Sequence, residues 1–176
     1  MTVIPHRANL LQDRNQLHQF LLNCQQSLTE KDRTKIVSIS QEIYPLDPLA
    51  VLQEMSEPCH RHFYFEKRDP IADNSFAIAA FDSAIHLTVA GTDRFVLAQN
   101  FIRSCLASTI TIGAERLPFS GPHFFCSFTF FDDNSAANSY FPPATIFLPK
   151  WQITRQQDSC TLVANALVEK DLNVKT

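Results

Sequence analysis

The stretch PFSGPHFFCSFTFFDD, residues 118–133, decides how this chain is read. It crowds six phenylalanines around a Gly-Pro pair, a histidine and a cysteine. Within HFFCSFTFF (123–131), strand alternation puts Phe125 and Phe131 on one face with Ser127 and Thr129. Phe124, Cys126, Phe128 and Phe130 fall on the other. A strand apolar on both faces is expected to be covered on both, so the segment reads as a core strand rather than a pocket. Gly121-Pro122 is then the turn that feeds it. Cys126 would need a nearby base and solvent access to serve as a nucleophile; flanked by phenylalanines, it reads as inert packing.

The flanking segments place this strand in an α+β fold. Upstream, residues 7–30 read as an amphipathic helix, with Leu10, Leu17, Leu21, Cys24 and Leu28 along one face. TKIVSISQEIY (34–44) reads as a strand, with Val37, Ile39 and Ile43 on one side and Ser38, Ser40 and Glu42 on the other. Asp47-Pro48 supplies an N-cap and a first-turn proline for a short helix ending at Met55. HFYFEKR (62–68) reads as a strand, and SFAIAAFDSAIHLTVAG (75–91) as a hairpin turning at Asp82-Ser83. TDRFVLAQNFIRSCLAS opens a helix capped by Thr92 or Asp93, with Phe95, Ala98, Phe101, Ile102 and Cys105 on its inner face. ATIFLPKWQITRQ (144–156) and CTLVANALV (160–168) read as strands, and EKDLNVKT as a frayed tail. Helices and strands do not alternate regularly, so the sheet is expected to be mostly antiparallel with flanking helices. No linker or composition break divides the 176 residues, which read as a single unit.

Composition removes several function classes. The net charge of −3 gives no drive toward nucleic acid or an acidic membrane. No apolar run approaches the roughly 20 residues of a membrane span, and the N-terminus lacks a secretory pattern, so a cytoplasmic location is expected. The five cysteines, 24, 59, 105, 126 and 160, are scattered without a C-x-x-C, as for reduced and mostly buried thiols. Three glycines, 91, 113 and 121, cannot form a phosphate-cradling loop. Charged residues make up 19%, below the roughly 25% usual in globular domains. That deficit implies surface meant to be covered by something else.

Two polar clusters invite a site reading. Cys59, His60 and His62 in CHRH are zinc-ligand types, but a fourth ligand at zinc-site spacing is missing, so a turn and a strand start are expected. EKRD (66–69) reads as a solvated strand end. Trp151 lies in a strand pattern, as core or interface rather than a base-stacking platform. Neither catalytic, cofactor-binding nor metal-binding residues can be assigned.

HFYFEKR followed by AIAAFDSA resembles the N-terminal pattern of isochorismate synthases, members of the chorismate-binding enzymes. Phe63, Tyr64, Phe65, Glu66 and Arg68 match an aromatic run, a Gln or Glu, and an Arg two residues on. RFVLAQNFI, PFSGPHFFCSFTFF and FPPATIFLPKWQI resemble later elements of that family, in order, over about Ser38 to Val168. Asp82 stands where a glycine is usual, and Gly121-Pro122-His123 where two glycines and an apolar residue are more common. The resemblance implies the N-terminal scaffold of a sandwich in which PFSGPHFFCSFTFF is a central strand. It implies that the complete enzyme isomerises chorismate to isochorismate with Mg2+, toward menaquinone, phylloquinone or a siderophore. The family's lysine base, glutamate acid and magnesium-binding glutamates match no position up to Thr176. This chain is therefore expected to bind no cofactor, to be inactive alone, and to partner a C-terminal catalytic half in cis or in trans. A different class remains open: a stand-alone, non-catalytic module that binds an apolar ligand or a partner chain through its Phe-rich sheet.

Overall fold

The computed structural model describes residues 14–29, 34–55, 61–68, 75–114, 116–132 and 141–170. Along these residues run α1 (Arg14–Gln26), β1 (Thr34–Ile43), α2 (Pro48–Met55), β2 (His62–Lys67) and β3 (Phe76–Val89). They are followed by α3 (Arg94–Ala107), β4 (Thr109–Gly113), β5 (Phe125–Phe128), β6 (Ala144–Gln156) and β7 (Ser159–Glu169). The strands form one sheet in the order β2-β3-β6-β7-β1-β4, with β5 paired to β6 off this path. Only β1 and β4 run parallel; the other pairings are antiparallel. The fold is α+β, as expected. The described residues form this one sheet.

Helices cover both sheet faces. Cys24 of α1 and the following Leu28 pack on Val37 and Ile39 of β1, Ile112 of β4 and Val168 of β7. Leu52 of α2 packs on Ala79, Phe81, Ile153 and Cys160. These strand positions share a face by register. The opposite parity carries α3: Cys105 meets Ile36 and Leu148, and Ala98 meets Ala144 and Ile146. Strand β1 is therefore buried on both sides from Ile36 to Gln41, against the one-sided reading of its alternation. Of its buried serines, Ser40 anchors the segment after β4. The Ser40 Oγ accepts from the Gly121 N–H at 2.8 Å, and its carbonyl accepts from the Ala114 N–H at 2.9 Å.

Local chemistry sets several boundaries. The Asp47 carboxylate accepts from the Leu49 N–H at 3.0 Å, which caps α2 as the Asp-Pro pair implied. β6 and β7 turn at Gln157-Asp158, with Gln157 at φ 53°. The long upstream helix is observed as Arg14–Gln26; residues 7–13 and 30, with Leu10, lie outside the described residues.

Three expectations are corrected. Residues 75–91 are not a hairpin: β3 is one strand that carries a bulge where Asp82-Ser83 was expected to turn. Ser83 pairs Pro149 and Ile85 pairs Leu148, leaving Ala84 as the extra residue, and Asp82 takes φ 56°. Asp and Ser suit a bulge as well as a turn. The long partner β6 selects the bulge, since Pro149 opposite lacks a ladder donor. HFFCSFTFF is not a central strand covered on both faces: only Phe125–Phe128 is strand, and it pairs β6 alone. Phe130 and Phe131 are 92% and 70% exposed. On α3 the inner face begins at buried Arg94, whereas Phe95 is exposed. The short strand β4, TITIG, had no sequence assignment and is the one parallel neighbour of β1.

Candidate functional site

The margin formed by β2, β3, β6 and the start of α2 holds an open cleft of about 380 Å³. Alternation along β2 brings Tyr64 and Glu66 to the same side. Tyr64 pairs Ala79, and its body packs beside the Leu52–Phe81 cluster under α2. Glu66 pairs Ala77, which in turn pairs Arg155 of β6. Lys67, Arg68, Ser75 and Phe76 complete the margin, with Asp47, Pro48 and Leu49 on the α2 side.

The polar groups form a short relay. The Arg68 Nε donates to Glu66 Oε1 at 2.7 Å, and the Tyr64 hydroxyl donates to Glu66 Oε2 at 3.2 Å. The hydrogen bond from Arg68 holds the Glu66 carboxyl below its ordinary range, and the same contact holds the Arg68 guanidinium further up. Burial, reinforced by the nearby Glu66 charge, raises the Tyr64 phenol. Tyr64 is thus a neutral hydroxyl at physiological pH, unsuited to act as a base. EKRD is a solvated strand end as expected, with Glu66, Lys67 and Arg68 exposed. Asp69 lies outside the described residues.

The other sequence candidates do not converge here. His62 opens β2, while Cys59 and His60 lie outside the described residues, so the zinc question falls there too. Among the described residues no three His, Cys, Asp or Glu side chains group to hold a metal. Magnesium does not fit the cleft: Glu66 is committed to Arg68 and Asp47 to the α2 cap. Cys126, expected as inert packing, is instead exposed on β5; partial desolvation by its neighbours still raises the thiol pKa, the reverse of an activated nucleophile. Trp151 is 38% exposed opposite Phe81 and Ala164. Arg155 escaped the sequence reading, because only strand register brings ITRQ beside FYFEKR.

A second polar feature lies inside. Ser38, Ser40, Gln152, Thr154, Thr161 and Asn165 are buried on the α3 face of the sheet. Gln152 Nε2 donates to the Phe119 carbonyl at 3.2 Å, and Asn165 Nδ2 to the Pro149 carbonyl at 2.8 Å. Ala114, Phe119 and Gly121 are stitched over this seam.

The α+β sheet displays FYFEK on the marginal strand β2, with Arg68 just past its end, and sets the Phe-rich segment beside β6. A family model described as chorismate binding enzyme matches residues 19–176. The chain belongs to the chorismate-binding enzyme family, and its role is a chorismate-utilising one in that general sense. No curated protein matches it. No helix among the described residues is long and apolar enough to cross a membrane.

Proposed function

We propose that this chain is the N-terminal scaffold of an isochorismate synthase acting in the cytoplasm. In this reading a separate region, joined in cis or in trans, isomerises chorismate to isochorismate with Mg2+. Water adds at one ring carbon as hydroxyl leaves another, which calls for a base, an acid and a metal-held carboxylate. The observation that carries the reading is the family match over residues 19–176, together with the resemblance carried by Phe63, Tyr64, Phe65 and Glu66 of β2 and by Arg68 just past its end. The carboxylates of the β2 cleft are committed to Arg68 and to the α2 cap, so this site contributes a wall and not the reacting groups.

The test is incubation of the purified chain with chorismate and Mg2+, followed by chromatographic separation of products. The expected result is no isochorismate above a protein-free control, with conversion appearing when a catalytic region of the family is co-expressed. Isochorismate from the chain alone would overturn the scaffold assignment. A productive complex yielding a different chorismate product would overturn the choice of isochorismate synthase.

A further inference from the structure

We propose that the β2–β3–β6 cleft binds a small organic carboxylate through Arg155 and Arg68. Glu66, Ala77 and Arg155 occupy facing positions on three adjacent strands. Strands lie about 4.8 Å apart, so the Glu66 and Arg155 backbones stand roughly 10 Å from one another. Ala77 between them offers only a methyl group, which leaves the floor open to a ligand of a few heavy atoms. The cleft volume, about 380 Å³, suits such a molecule.

Charge selects the ligand class. Both carboxylates at the cleft are engaged: Asp47 accepts from the Leu49 N–H, and Glu66 accepts from Arg68 and Tyr64. Arg68 and Arg155 line the same space, and Lys67, from the opposite parity of β2, borders it. Arg68 spends its Nε on Glu66, and Arg155 spends its Nε on the Gln157 carbonyl at 3.2 Å. The Nη groups of both arginines remain, and planar guanidinium forks match a carboxylate bidentately. Leu49 of α2, part of the lining and exposed, adds an apolar flank, which favours an organic body over a bare inorganic anion. Arg68, Arg155 and Lys67 are exposed, so substituting them leaves the core untouched.

This site is independent of where the isomerisation is performed, and its test reads binding by the whole chain without any catalysis. Benzoate, inorganic phosphate and chloride at matched ionic strength are titrated while the amides of Glu66, Lys67, Ala77 and Gln156 are followed by NMR. Saturable shifts with benzoate are expected, with affinity falling roughly tenfold, about 1.4 kcal/mol, in Arg155→Gln and in Arg68→Gln. Arg155→Lys keeps the charge but loses the fork and should fall between. Shifts that chloride reproduces, shifts that do not saturate, or equal affinity in Arg155→Gln would overturn the site. Phosphate binding as tightly as benzoate would overturn the organic part of the assignment.

Discussion

Gly113 and Gly121 both hold positive φ, at 105° and 82°, yet they answer to different constraints. A Cβ on Gly113 would run into the Ser40 backbone carbonyl, where β4 meets β1; on Gly121 it would meet nothing within 4 Å. Left-handed backbone alone costs a non-glycine residue about 1–2 kcal/mol. Gly121→Ala should therefore lower stability by about 1 kcal/mol, while Gly113→Ala adds a collision and should cost at least about 2 kcal/mol. Chemical denaturation of both variants checks the order, and equal losses would contradict it. Cysteine chemistry makes a second residue-scale prediction. Cys24, Cys105 and Cys160 are buried, whereas Cys126 is exposed with a raised pKa. Of these four, Cys126 should be alkylated first in the native protein. Because raising a thiol pKa lowers the thiolate fraction, its rate near neutral pH should fall below that of a free thiol and climb as pH rises. Peptide mapping across a pH series reads this, and a Cys126 faster than free thiol would contradict the raised pKa.

At the scale of elements, the β3 bulge explains a departure from the family pattern. Asp82 stands where that pattern favours glycine, and it holds φ 56°. Asp tolerates this region better than most residues, and a β-branched residue tolerates it least. Asp82→Gly should leave the melting temperature within a few degrees of the parent or slightly above it. Asp82→Val should lose about 1–2 kcal/mol, and the reverse ranking in thermal melts would remove the conformational explanation. The same bulge shows where sequence reading stops. Strands β1, β2, β6 and β7 and the cap of α2 were legible, because alternation and an Asp-Pro pair are local signals. Whether Asp82-Ser83 turned or bulged depended on Pro149 in a strand over sixty residues away. The candidate site divides in the same way. Tyr64, Glu66 and Arg68 sit within five residues and drew attention as a motif, whereas Arg155 joins them only through the β2–β3–β6 register. For β5, phenylalanine content signalled burial but could not say what does the covering.

That covering is a property of the whole molecule. Phe130, Phe131 and Phe141 are 92%, 70% and 71% exposed, and beyond them Phe95 stacks on Phe128 at 4.7 Å with both rings at the surface. Buried Arg94 holds this margin in place, its Nη2 donating to the Phe130 carbonyl at 3.4 Å. Covering one phenylalanine is worth about 1.5–3 kcal/mol, and contiguous apolar patches beyond a few hundred Å² are uncommon on soluble monomers. These side chains lie outside the four buried clusters, so they contribute little to the core. The chain alone should therefore bind a hydrophobic dye and self-associate as concentration rises. Phe130→Ser combined with Phe131→Ser should reduce both effects and shift the melting temperature by only a few degrees. Co-expression with a catalytic region of the family should suppress dye binding in the parent chain and raise its melting temperature, with a smaller gain in the double variant. A parent chain that stays monomeric, ignores the dye and gains nothing from that partner would remove the scaffold reading and favour a self-sufficient binding module.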